Sequence, residues 1–116
     1  MSEANLMRQI QIGIAKNGAK TFRNNVGLFD TLDGRKIRTG LCVGSSDLIG
    51  WKKIIITPQM VGKQLAVFVA VEVKMPEGES TKEQVNFIEA VTADGGIAFV
   101  ARSVEEAIAK LRGEHE

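Results

Sequence analysis

The run at residues 65–74, LAVFVAVEVK, limits the fold more than any other stretch. Side chains alternate along a strand, so Ala66, Phe68, Ala70, Glu72 and Lys74 share one face. Leu65, Val67, Val69, Val71 and Val73 share the other. Both faces are apolar until Glu72, the pattern of a central strand covered on both sides. Its C-terminal end sets a carboxylate beside an ammonium, at the end of the strand where open α/β sheets bind ligands. Burying either charge alone costs on the order of several kcal/mol. Two accounts fit: a plain salt bridge at a strand end, or a divalent cation beside Glu72 with an anion beside Lys74.

The rest of the chain reads as one domain over residues 1–116, with no linker, repeat or low-complexity segment. Leu6, Met7, Ile10 and Ile14 recur at helical spacing within residues 3–16, and Asn17-Gly18 stops that helix. Residues 20–29 are strand-like. Asp33-Gly34 marks a hairpin turn, and residues 35–43 form the return strand. Gly44-Ser45-Ser46-Asp47 leads tightly into a strand at residues 48–57, expected to pair with residues 65–74. Ser80 and Glu83 have capping-box spacing at the head of a helix carrying Val85, Phe87, Ile88 and Val91. Asp94-Gly95-Gly96 ends it. A short strand at residues 97–101 follows, then a second box, Ser103 with Glu106, and a helix to about Arg112. The helical crossover predicts that residues 65–74 and 97–101 lie side by side in parallel. The class is mixed α/β.

Composition removes several functions. The only histidine is His115 and there is no tyrosine, which argues against His-dependent nuclease and protease chemistry and against Tyr nucleophiles. With Cys42 as the one thiol, neither an internal disulfide nor a closed Cys/His zinc site can form, and a reducing cytoplasm fits. No GxGxxG follows a strand and no Walker A loop is present, so no nucleotide cofactor is expected. No apolar run is long enough to span a bilayer. The N-terminus, with Glu3 and Arg8, does not resemble a signal peptide. Charge is uneven. Residues 1–63 hold ten Lys/Arg against four Asp/Glu, whereas residues 64–116 hold five against ten. The basic half could steer a polyanion, or the two halves could be ordinary mixed surfaces.

Four further features bear on chemistry. Asp47 enters the strand expected beside residues 65–74, so its carboxylate could come near Glu72. Two carboxylates with water and phosphate oxygens suit Mg²⁺; the alternative is an Asp capping its own turn. Gln84 starts the stripe that includes Ile88 and Val91, and either aims at Glu72 and Lys74 or is a satisfied amide at a helix start. Glu3 heads the stripe of Met7, Ile10 and Ile14, either aiming at a site or favoured there by the helix dipole. Arg23-Asn24-Asn25-Val26-Gly27 has phosphate-binding residue types, or is a surface turn.

Taken together, "RNNVG", "GSSDLIG", "VEVK" and "STKEQ", in this order and with these gaps, resemble the virus-type replication-repair nuclease (VRR-NUC) domain. That domain is a branch of the PD-(D/E)XK superfamily, and the resemblance runs from about Glu3 to Leu111. It implies a restriction-endonuclease-like fold, a mixed central sheet flanked by helices. It also implies Mg²⁺- or Mn²⁺-dependent hydrolysis of DNA phosphodiesters. The family acid matches Asp47, the E-x-K matches Glu72 and Lys74, the helix glutamine matches Gln84, and the first-helix glutamate matches Glu3. Asp47, Glu72, the Val73 carbonyl and Glu3 are then metal ligands. Lys74 activates water and stabilises charge. Arg23, Asn24, Asn25, Ser45 and Ser46 face DNA. Two positions depart from the common pattern. Ser46 stands where many superfamily members have Pro, as is usual in this branch, and Met7 stands where many relatives have Gln. The short stand-alone form of the family, which this chain resembles, implies a cytoplasmic homodimer of bacterial or phage origin acting on branched DNA such as Holliday junctions. Two other classes remain: a non-catalytic DNA-binding module on the same fold, and a sequence-preferring enzyme of the restriction or defence type.

Overall fold

The computed structural model describes residues 2–113, so His115 lies outside the described residues. The chain forms two compact units, residues 1–55 and 56–116. The element order is α1 (Glu3–Ala15), β1 (Ala19–Arg23), β2 (Gly27–Asp30), β3 (Lys36–Thr39), β4 (Leu48–Lys52), β5 (Val69–Val73), α2 (Lys82–Ala93), β6 (Ile97–Ala101) and α3 (Val104–Arg112), with a single 3₁₀ turn, Pro58–Met60, before β5. The mixed α/β class is as expected.

In the first unit, Ser2 caps α1 by accepting from the Asn5 amide. The half-buried residues of α1 are Met7, Gln11 and Ile14, while Ile10 is 44% exposed. The stripe therefore runs through Gln11, whose Nε2 donates to the Thr21 carbonyl of β1 at 3.2 Å. β1 pairs antiparallel with β4, and Phe22 meets Trp51 with ring centroids 5.7 Å apart. β2 and β3 form the expected hairpin. At its turn, hydrogen bonds from Thr31 and then Arg35 hold the Asp33 carboxyl below its ordinary pKa. The continuous strand expected at residues 20–29 is broken after Arg23, where Asn24 turns its side chain and amide to residues 41–47. The return strand is likewise cut short, at Gly40, where φ is +80°.

In the second unit, β5 and β6 pair in parallel, as the crossover predicted, with Glu72 opposite Val100. The ladder ends where its partner ends. Phe68 O accepts from Ile97 N, and Lys74 N donates to Ala101 O, so the strand expected at residues 65–74 shrinks to Val69–Val73. Helix α2 packs on both strands and α3 on β6. Val91 and Ala101 are buried at the centre. One expectation fails. The face of Val67, Val69, Val71 and Val73 is 43–74% exposed rather than covered. The ladders among the described residues are β1–β4 and β2–β3 in the first unit and β5–β6 in the second. β4 stops at Lys52, where Lys53 N bonds back to Gly18 O. Helical packing from α2 explains the exposed face: it covers only one face of β5. An apolar sequence on both faces does not itself supply a second layer.

Gly96 follows α2 where the chain turns into β6. A Cβ added there would lie 2.6 Å from Val91 Cγ1, far inside contact distance. Gly96→Ala should therefore destabilise the protein by about 1–3 kcal/mol through overpacking. Val91→Ala should cost a comparable amount by leaving a cavity. In urea denaturation the double variant should be less damaged than the sum, by about 1 kcal/mol, because truncating Val91 makes room for the new methyl. Strict additivity would show that the two groups do not compete for this space.

Candidate functional site

Glu72 stands on β5 facing α2, and Lys74 follows one pleat later on the same face. Glu72 Oε1 receives the Gln84 side-chain amide at 2.8 Å and lies 3.6 Å from Lys74 Nζ. Both charges are partly withdrawn from water, with side-chain exposures of 32% for Glu72 and 18% for Lys74. Glu72 Oε1 is thus fixed by a neutral donor with a cation beside it. A groove of about 430 Å³ lies alongside, lined by Ala70, Val71, Glu72, Glu83, Gln84, Phe87 and Ile88.

Gln84 is held by the helix start. The box expected between Ser80 and Glu83 instead lies one residue on, between Thr81 and Gln84. Thr81 Oγ1 accepts from Gln84 N at 3.1 Å, and Gln84 Oε1 accepts from Thr81 N at 2.9 Å. This orientation points Nε2 at Glu72. Ser80 and Glu83 have the right spacing, but so do Thr81 and Gln84, and only the second register lets the Gln84 amide serve both cap and carboxylate. The second expected box is half formed. Ser103 Oγ accepts from Glu106 N at 3.0 Å, but Glu106 Oε1 reaches back to Arg102 N at 2.7 Å, not to the Ser103 amide. Arg102 Nη2 in turn donates to Gly78 O at 2.7 Å, fastening the loop between β5 and α2 to the end of β6. Thr81 and Arg102 were missed in the sequence because their roles are to place other residues. The TKEQ spacing was the one available signal for Thr81.

Backbone direction also matters. Phe68 and Lys74 turn their ladder groups toward β6. Along a strand these groups alternate in direction, so the Val73 carbonyl points away from β6. It is free of that ladder and can act as an oxygen ligand.

The other expected site residues lie in the first unit. Asp47 immediately precedes β4; its carbonyl accepts from Asn24 N at 2.8 Å and its carboxylate is exposed. Glu3 is exposed in the first turn of α1. Arg23 ends β1, and Arg23, Asn25 and Ser46 are exposed. Asn24 and Ser45 are half-buried and bond to each other at 2.7 Å. The structure thus brings Glu72, Lys74 and Gln84 together in one unit, and Asn24, Ser45, Ser46 and Asp47 together in the other. Among the described residues, no three His, Cys, Asp or Glu side chains gather as a metal cage. The donors on hand are carboxylate and backbone carbonyl oxygens, which with solvent make the mixture that Mg²⁺ takes.

An acid and a lysine thus stand one pleat apart at a strand end of a mixed α/β fold, with an amide holding the acid. The chain belongs to the VRR-NUC domain family, whose model matches residues 23–105. The match takes in Asp47, Glu72, Lys74 and Gln84 and leaves out Glu3. It gives the protein a nuclease-type DNA-processing function and a PD-(D/E)XK-like fold. No curated protein and no solved structure matches the chain. No helix among the described residues is long and apolar enough to cross a membrane.

The Gln84 bond to Glu72 makes a measurable difference between two variants. Thr81→Ala removes a cap and should cost about 1 kcal/mol. Gln84→Ala removes the reciprocal half of the cap and also the donor to Glu72, and should cost about 1 kcal/mol more, as for a bond to a charged group. Equal losses in urea denaturation would mean that the Glu72 bond contributes nothing to stability.

Proposed function

We propose that the protein is a divalent-metal-dependent endonuclease that hydrolyses DNA phosphodiesters, with branched DNA as its preferred substrate and a homodimer as its working form. The observation that carries this reading is the trio of Glu72, Lys74 and Gln84, set together at one strand end in a chain of a nuclease family. Mg²⁺ or Mn²⁺ fits the donors. Asp47, Glu72 and the Val73 carbonyl would hold the ion, with Glu3 as a direct or water-mediated fourth. When bound, such an ion polarises a phosphate oxygen and lowers the pKa of a coordinated water.

The remaining work falls to the chain's own groups. The Lys74 ammonium, kept beside Glu72, donates to the attacking water and to a non-bridging phosphate oxygen. It thereby stabilises charge that grows in the transition state. Gln84 keeps the Glu72 carboxylate in one orientation. Arg23, Asn25 and Ser46 present exposed donors to the DNA backbone, and the positive excess of residues 1–63 draws the duplex in. Resolving a branch takes two symmetric cuts, which a two-fold dimer supplies.

Digestion of labelled linear, flap and four-way DNAs with Mg²⁺ tests the reading as a whole. Junctions should be cut in preference to linear duplex of equal length, and light scattering should give a dimer mass. A monomer with no junction preference would leave a general nuclease, and cleavage at one sequence would point to a defence-type enzyme. Glu72→Ala and Lys74→Ala should each slow cleavage by about 100-fold or more, as for loss of a metal ligand or charge stabiliser. Near-normal cleavage by either purified variant would sink the assignment.

Metal binding is tested separately. A cation that binds only the folded chain stabilises it by about 2.7 kcal/mol at a hundred times its Kd. Mg²⁺ or Mn²⁺ should accordingly raise the wild-type Tm and leave that of Glu72→Ala unmoved. A wild-type Tm indifferent to millimolar cation would count against the ligand set.

A further inference from the structure

We propose that Asn24 is a positioning residue for Asp47, and that it does not contact DNA. This rests on the reading of Asp47 as a metal ligand. An Asn side chain has two N–H donors and one carbonyl acceptor. In Asn24 both donors are engaged: Nδ2 lies 2.7 Å from Ser45 Oγ and 2.9 Å from Ser46 O. Its Oδ1 accepts from Leu41 N at 2.8 Å. Its own backbone N–H donates to Asp47 O, also at 2.8 Å. One residue therefore grips the segment ahead of β4 at Leu41, Ser45, Ser46 and Asp47. No N–H of Asn24 is left for a phosphate.

Ser45 closes the ring from the other side. Its Oγ donates to Cys42 O at 2.6 Å and accepts from Cys42 N at 3.3 Å, in addition to the bond from Asn24. Gly40 makes the approach possible. Its φ is +80°, and a Cβ there would lie 2.7 Å from Val26 Cα and 2.9 Å from Asn25 O. The loop is thus pressed against the turn at residues 24–26, and Asp47 leaves it directly into β4. The chemistry needs donors and an acceptor in one short plane. Asp lacks the donors, and Gln has an extra methylene that would displace them. Arg23 differs from its neighbour: it is exposed, and its side chain makes no hydrogen bond or ion pair among the described residues. Within the Arg-Asn-Asn motif, Arg23 is the phosphate contact and Asn24 fixes the loop.

The test compares wild type with Asn24→Ala, Asn24→Asp and Arg23→Ala. The readouts are Mn²⁺ affinity from the paramagnetic resonance of free ion, DNA Kd against salt in Ca²⁺, and amide hydrogen exchange at Leu41 and Asn24 without metal. Both Asn24 variants should weaken Mn²⁺ binding by about ten-fold, the scale seen for loss of a residue that orients a metal ligand. They should leave the DNA Kd and its salt slope unchanged. Arg23→Ala should do the reverse, lowering the salt slope by about 1. Exchange at Leu41 should speed up in Asn24→Ala, whereas Asn24→Asp, which keeps the acceptor, should retain its protection. Weakened DNA binding with unchanged Mn²⁺ affinity would make Asn24 a DNA contact and overturn the proposal. So would variants that change neither. If wild type binds no Mn²⁺, the metal reading of Asp47 fails on its own. The loop-fixing role is then judged by exchange, and unchanged Leu41 protection in Asn24→Ala overturns it. If Asn24→Ala does not fold, Asn24→Asp carries the Mn²⁺ and DNA comparison.

Discussion

The hydrogen bond from Gln84 to Glu72 joins the start of α2 to the end of β5, and the site depends on it. A lone carboxylate beside an ammonium could turn to pair with it fully. Here the amide takes Oε1 at 2.8 Å, and Lys74 stands 3.6 Å from the same oxygen. The amide is itself fixed, because its carbonyl is committed to the Thr81 N–H. Helix capping and site orientation are therefore one interaction, and the helix cannot fray at its first turn without releasing Glu72. Arg102 adds a second restraint by tying the intervening loop to the end of β6.

The two units solve the same problem differently. In the second, regular structure presents the polar groups: a parallel ladder ends, and the next side chain outward is Lys74. In the first, an irregular loop presents Asp47, and irregular backbone needs side chains to satisfy and hold it. Asn24 and Ser45 supply those bonds. A polar residue near a candidate ligand therefore need not be a ligand contact itself; the side-chain donors of Asn24 are already engaged within the chain.

Much of this was legible in the sequence. Alternation placed Glu72 and Lys74 on one face. The crossover predicted parallel β5 and β6, and Asn17-Gly18, Asp33-Gly34 and Asp94-Gly95-Gly96 marked real boundaries. What failed did so for physical reasons. Alternation shows which residues share a face but not whether anything covers it, so the face of Val69, Val71 and Val73 reads as buried and is open. Strand length follows the partner, so residues 65–74 shortened to match the five residues of β6. Two capping registers were compatible with STKEQ, and the one formed brings Gln84 Nε2 to Glu72, twelve residues away. The loop-fixing role of Asn24 rests on bonds to residues 41–47, which local pattern cannot reveal.

In the proposed function Glu72 and Asp47 would both be ligands of one divalent ion. Mn²⁺ broadens amide resonances close to it, so a titration followed in backbone amide spectra tests this most directly. Substoichiometric Mn²⁺ should broaden Val73, Lys74 and Asp47 first and with one common midpoint, and Mg²⁺ should reverse the effect. Broadening confined to exposed acids such as Glu77, Glu79 and Glu105, or separate midpoints for Asp47 and Val73, would contradict it.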